Sequence, residues 1–183
     1  MIKLVIAISG KRKSGKDYCA QFFAQKLTNM GHKVEICAIS YSLKQEFARL
    51  NGINFEQLLT DGPEKEKYRK EMIKWGEIER EKNPEVFCRS AIESTSNAEI
   101  VIISDCRRPT DFQFFKSNFK TITIRVEASL EARFARNYKF VEGIDDAPSE
   151  CALDDANVDF VIQNCSETGL DEQFVPIVRV LEI

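Results

Sequence analysis

One segment constrains this chain more than any other: Gly10-Lys11-Arg12-Lys13-Ser14-Gly15-Lys16-Asp17. It lies between the apolar run Lys3–Ile8 and a stretch from Lys16 to Met30 in which Cys19, Phe22, Phe23 and Leu27 recur at helical spacing before Gly31. Strand, glycine loop and helix are the context that G-x-x-x-x-G-K requires. Its glycines let backbone N–H groups turn inward around phosphate oxygens, and the following helix N-terminus favours negative charge. Lys16 then reaches the β- and γ-phosphates. Two departures from the usual loop matter. Asp17 stands where a Ser or Thr normally binds Mg²⁺ through its hydroxyl, so its carboxylate is a candidate to hold the ion directly or through water. Lys11, Arg12 and Lys13 crowd together ahead of Ser14, and such cations repel unless anions sit among them.

The rest of the chain alternates in the same manner. Strands are expected at Lys33–Ser40, Glu99–Ser104, Thr121–Val126 and Val158–Gln163. Helices are expected at Leu43–Leu50, Pro63–Lys82, Pro84–Ser94, Pro109–Phe119, Leu130–Phe140 and Leu170–Leu181, the last interrupted by Pro176. Phe112, Phe115 and Phe119 form one helical stripe, which reads as a core face. Glu142–Asp155, with Gly143, Asp145, Asp146 and Pro148, reads as a mobile loop. This alternation predicts an α/β three-layer sandwich: a five-stranded, mainly parallel sheet with helices on both faces and ligands bound beyond the carboxyl ends of its strands.

At 183 residues the chain has room for one domain. With 26 basic and 29 acidic residues there is no field to attract polyanions, so phosphate affinity must be local and a nucleic-acid partner is not expected. Six cysteines never form C-x-x-C and read as reduced thiols, mostly in the core. The single histidine, His32, follows Gly31 and reads as a turn residue, which excludes the triads, dyads and zinc sites built on histidine. No apolar run approaches the roughly 20 residues of a membrane span, and Met1–Ile8 does not read as a signal peptide.

Other residues extend the phosphate chemistry. Asp105, after an aliphatic strand, is either a second metal ligand or a cap for the helix starting near Pro109. Arg107 and Arg108 follow where the same sheet edge would place a substrate phosphate. Lys65, Arg69 and Arg80 fall within roughly 60° of one another at about 100° per residue, with Met72 and Gly76 on the same stripe. They read equally as a cleft wall or as an ordinary solvated helix. Arg133 and Arg136 share a face beside the loop at Glu142, as a closing lid would require. Phosphoryl transfer depends on positioning and charge neutralisation more than on acid–base chemistry. A phosphate acceptor is already anionic and needs no base. The lack of a placed histidine leans towards such an acceptor, although Asp17 or Asp105 could serve as a base.

These blocks together, Gly10 to Asp17, S-Y-S-L-K from Ser40 to Lys44, K-E-K-Y-R-K-E-M-I-K-W-G-E-I-E-R from Lys65 to Arg80, S-D-C-R-R from Ser104 to Arg108 and G-I-D-D-A-P-S-E-C-A-L-D from Gly143 to Asp154, closely resemble the animal-type phosphomevalonate kinases. The resemblance runs from the first strand to about Asn164. It implies the P-loop nucleoside-monophosphate-kinase fold over a single domain, 1–183, with an acceptor-binding helical region at about 41–95 and a lid at about 129–146. It also implies transfer of the γ-phosphoryl of Mg-ATP to (R)-5-phosphomevalonate, giving the 5-diphosphate and ADP in isoprenoid and sterol synthesis. By the same resemblance Lys11, Arg12, Lys13 and Lys16 would bind ATP, with Asp17 tied to Mg²⁺; Gly10, Ser14 and Gly15 complete the ATP loop by the motif itself, and Asp105, from its place after the strand, is the second metal candidate. Lys44, Lys65, Arg69, Arg80 and Arg108 would hold phosphomevalonate. Lys16, Arg12, Lys13, Arg107, Arg125 and Arg133 would stabilise transfer, while Arg133 and Arg136 would belong to the lid over ATP. A monomer without membrane or nucleic-acid partners is expected. Because Leu181-Glu182-Ile183 is not a peroxisomal tripeptide, the expected location is the cytosol. The competing readings are a (deoxy)nucleoside monophosphate kinase, which would need a base pocket, and a non-catalytic ATP-binding regulator.

Overall fold

Leu4–Ser9 (LVIAIS) is buried at every position, the pattern of a parallel strand covered on both faces. The computed structural model describes residues 1–60, 62–165 and 169–181. In chain order the elements are β1 (Leu4–Ser9), α1 (Lys16–Asn29), β2 (Val34–Cys37), α2 (Ile39–Asn51), α3 (Phe55–Leu59), α4 (Pro63–Lys82) and α5 (Val86–Glu93). There follow β3 (Ile100–Ile103), α6 (Pro109–Asn118), β4 (Thr121–Glu127), α7 (Leu130–Ala135), α8 (Pro148–Cys151), β5 (Phe160–Gln163) and α9 (Leu170–Leu181). The sheet order is β2-β3-β1-β4-β5, and every neighbouring pair is parallel.

The two-residue period of the strands sorts the core into two layers. Leu4, Ile6 and Ile8 pack with Phe23 and Leu27 of α1 and with Phe174 and Ile177 of α9. Val5 and Ala7 face the other way, towards Phe87 of α5 and Phe112 and Phe115 of α6. The phenylalanine stripe is therefore core, joined by buried Phe114. A third, smaller core of Phe47, Ala48, Leu58 and Met72 holds α2, α3 and α4 together. The cysteines are all free thiols, and Cys19, Cys88 and Cys106 are buried. His32 follows Gly31 in the turn after α1, its amide bonded to the Leu27 carbonyl.

Several boundaries differ from those expected, each for a local reason. The strand expected to reach Ser40 stops at Cys37, because the Asp105 carboxylate accepts the amides of Ile39 and Ser40 and starts α2 there. The helix expected to reach Phe140 ends at Ala135, closed by Asn137 at φ 60°. α9 runs through Pro176, since burial of Phe174, Ile177 and Leu181 holds the helix against the lost hydrogen bond. α3, capped by Asn54 on the Glu56 amide, carries no sequence signal strong enough to announce it. The segment expected to be a mobile loop, Glu142–Asp155, contains α8 and buries Ile144, Ala147 and Leu153. Residues 182–183, on which the expectation about location rests, lie outside the described residues.

Candidate active site

A cavity of about 800 Å³ opens at the carboxyl edge of β1 and β3. Its floor is the loop between β1 and α1, contributing Arg12, Lys13, Gly15, Lys16 and Asp17. Gly15 opens α1 at φ 92°, and a Cβ there would lie 2.1 Å from Asn164 Nδ2, so only glycine fits the turn. Opposite the loop stand Ser40 and Lys44 of α2, and Ser104, Asp105, Arg107 and Arg108 after β3. α4 forms the far wall with Lys65, Arg69, Met72, Gly76 and Arg80. It approaches α2 so closely that a Cβ on Gly76 would lie 2.6 Å from Leu43 Cδ1. Of the two sequence readings of that stripe, the structure displays the cleft wall. Neighbouring Trp75 packs instead against Phe47 and Phe87.

Lys16 is buried, and its Nζ donates to the carbonyls of Gly10 at 2.8 Å and Lys11 at 3.0 Å. Burial, with Arg107 nearby, pushes its pKa down to about 8, against the opposing pull of Glu150, Asp17 and Asp105. The cation therefore discharges just above neutrality. Since kcat/KM reports the free enzyme, kcat/KM for ATP should fall as pH rises through about 8. A profile flat to pH 9.5 would contradict this. Burial also lowers the pKa of Lys44, helped by Lys65, Arg107 and Arg69.

The cations hold their positions through carboxylates that sequence reading did not single out. Asp111, fully buried, accepts from Arg80 at 2.7 Å, from the amides of Arg107 and Arg108 at 2.8 and 3.0 Å, and from Cys88 Sγ at 3.4 Å. It is the third residue of α6, so Asp111, not Asp105, completes the cap of that helix. Arg108 pairs with Glu77, Arg69 with Glu66, and Arg107 with Glu150. Asp145 grips Arg12 in a two-pronged bond at 2.9 and 2.6 Å, which holds its carboxyl below the usual range. Advance signals were local ones, an acid at the third position after Arg108 and the i,i+3 spacing of Glu66 and Arg69; Glu150 and Asp145 had none.

Arg133 of α7 and Arg136, the residue that ends it, reach the loop's carbonyls. Arg133 Nε donates to Arg12 O at 2.9 Å and stacks on Tyr138, and Arg136 donates to Ser14 O at 2.8 Å and to Asn164 O at 2.8 Å. Asn164, also missed, adds a bond from Nδ2 to Ser14 O at 2.8 Å. Of this pair only Arg136 lines the cavity. Arg125, which the family resemblance sets near the transferring group, does not line this cavity; it is buried, donating to Leu153 O at 2.7 Å and Asp154 at 2.8 Å. Its strand, β4, lies on the opposite side of β1 from β3. Lys11 turns the same way, onto Asp154 at 2.6 Å, and the two line a smaller recess of about 350 Å³ with Ser14.

For a metal, the donors are the carboxylates of Asp17 and Asp105, both on the cavity. Asp105 already accepts the two α2 amides, and the described residues contain no cluster of three metal-ligating side chains. That set suits Mg²⁺, which keeps several waters and takes few protein carboxylates, better than a metal needing an all-protein cage.

The architecture has solved counterparts. The chain superposes on the APS kinase CysC of Mycobacterium tuberculosis, solved with AMPPNP and APS, with a TM-score of 0.53, 13% identity and coverage of 100% of this chain and 99% of that one. For TT1252 of Thermus thermophilus the values are 0.54, 20%, 100% and 100%. Fold and phosphate loop together define the class as a P-loop α/β fold. The family model described as phosphomevalonate kinase matches residues 8–121, and the phosphomevalonate kinase of Drosophila melanogaster is 39% identical, covering 97% of this chain and 95% of that protein. The chain belongs to the phosphomevalonate kinase family.

Proposed function

We propose that the chain transfers the γ-phosphoryl group of Mg-ATP to (R)-5-phosphomevalonate, yielding ADP and the 5-diphosphate, and that it does so as a cytosolic monomer in the mevalonate route to isoprenoids and sterols. The observation that carries this reading is the facing of two cationic sets across one cavity: Arg12, Lys13 and Lys16 on the loop, and Lys44, Lys65, Arg69, Arg80 and Arg108 on the other side. One anion cannot use both sets; a nucleotide and an acceptor that is itself a phosphate can. No described residue lining the cavity is aromatic, which leaves the base of a nucleoside-phosphate acceptor nothing to stack on. Leu43, Leu59, Met72 and Ile73 instead offer apolar contact to a short branched carbon chain.

In this reading the acceptor's phosphate oxygen attacks the γ-phosphorus, the bond from that phosphorus to the β,γ-bridging oxygen breaks, and ADP leaves. The attacking oxygen is already ionised, so no general base is required. Lys16 and Arg107 neutralise charge on the transferring group, while Arg12 and Lys13 hold the nucleotide phosphates. Arg136, beside the loop, belongs to the ATP side. Asp17 and Asp105 would hold Mg²⁺, whose contribution when bound is to screen the phosphate oxygens. Arg133 acts through the loop carbonyl it holds, and Arg125 and Lys11 through Asp154.

The test is ADP release with Mg-ATP and (R)-5-phosphomevalonate beside a panel of nucleoside and deoxynucleoside monophosphates. Release confined to phosphomevalonate is expected. Release with a nucleotide would overturn the acceptor assignment, and none with any acceptor would leave a nucleotide binder without turnover.

A further inference from the structure

The phosphate loop offers its Arg12 amide to a carboxylate of the same chain. Glu150, on α8, accepts that N–H through Oε2 at 2.9 Å, while its Oε1 accepts from Arg107. The Glu150 side chain is only 4% exposed, and both Glu150 and Arg107 line the main cavity beside Lys16. Two oxygens of one anion, a loop amide and a guanidinium make the donor arrangement that a terminal phosphate requires. A carboxylate and a phosphate cannot occupy the same donors together.

We propose that Glu150 is a specificity-determining residue that competes with the terminal phosphate of a nucleotide for the Arg12 amide and Arg107, and so sets how strongly the protein discriminates a nucleoside triphosphate from a diphosphate. A diphosphate has no third phosphate to displace Glu150, so the carboxylate stays on its donors and neutralises them. A triphosphate binds only by driving Glu150 off. Because α8 is only four residues long, Glu150 can withdraw with its short helix while flanking contacts hold: Asp145 on Arg12, and Asp154 on Lys11 and Arg125. After transfer the departing phosphoryl frees the donors, and the return of Glu150 favours the ADP-bound state. Between turnovers it keeps Arg107 aimed into the cavity without an unpaired buried charge.

This inference rests on reading the loop as the ATP site, and the experiment separates the two. Binding of the imido analogue of ATP and of ADP, each with Mg²⁺ and without acceptor, is measured calorimetrically for the wild type and for Glu150→Gln, which keeps the shape and removes the charge. The expected result is a triphosphate Kd about tenfold lower in the variant, because the competing occupant no longer reduces the competent fraction, with the ADP Kd within about twofold of wild type. A loosened loop would weaken both nucleotides together; that result, or an unchanged ratio of the two constants, overturns the proposal. Wild-type protein that binds neither nucleotide would instead overturn the ATP reading. Should Glu150→Gln fail to fold, Glu150→Asp, which draws the carboxylate back by one methylene, must shift the ratio in the same direction for the proposal to stand.

Discussion

Replacing Lys16 with Met lowers kcat by about 10²–10³-fold, the usual cost of removing one preorganised donor aimed at developing charge. The ammonium rests on the Gly10 and Lys11 carbonyls in a site that burial makes costly for a cation, as its pKa near 8 records. Folding gains little from a charge held there. Met fills much the same volume, so the melting temperature is expected to stay within a few degrees of wild type. Steady-state turnover with saturating ATP and acceptor, together with a thermal melt, checks both halves. Near-normal kcat would remove Lys16 from the transfer step, and a large drop in melting temperature would make the lost activity a folding effect.

The second large effect is on stability and comes from outside the loop. Asp111→Ala strips the buried partner from Arg80 and the acceptor from two consecutive amides, leaving an uncompensated guanidinium beside Phe87. Breaking a buried pair from one side typically costs about 3–5 kcal/mol, several times the worth of an exposed ion pair. Urea unfolding should show that loss as a lower midpoint with an unchanged slope. Because Asp111 also fixes the backbone that carries Arg107 and Arg108, folded protein at low temperature should show a raised KM for the acceptor with KM for ATP less affected. A loss under about 1 kcal/mol would mean that Arg80 finds another partner, and equal changes in both KM values would detach Asp111 from the acceptor side.

Much of this molecule can be read locally. β1 followed by Gly10-to-Lys16 and α1 is a contiguous signal in which each residue type is required by backbone geometry or charge. α4 begins and ends where its opening proline and its Glu/Lys pairs predict. The stripe of Lys65, Arg69 and Arg80 follows from helical period alone, since 3.6 residues per turn fixes a face wherever the helix docks. What period cannot state is which neighbour that face meets. It took the sheet order, with β3 between β2 and β1, to bring Ser104–Arg108 beside the phosphate loop and α4 across from it.

Charge pairing was illegible for the same reason. The chain has 29 acidic residues, and no local feature distinguishes Glu150 from Glu142, or Asp145 from Asp146. Asp105, the one acid singled out after β3, also starts α2 from 66 positions away, and Arg125 is held by Leu153 O and Asp154, contacts that no local pattern announces. The sequence by itself determined the phosphate loop, the alternating strands and helices and the cationic helix face, because hydrogen bonding along the backbone and the burial of alternate residues act over a few positions. Only the tertiary structure decided which carboxylate answers which cation, because a Coulomb interaction depends on distance through space, and Glu150 reaches the Arg12 amide across 138 positions of chain.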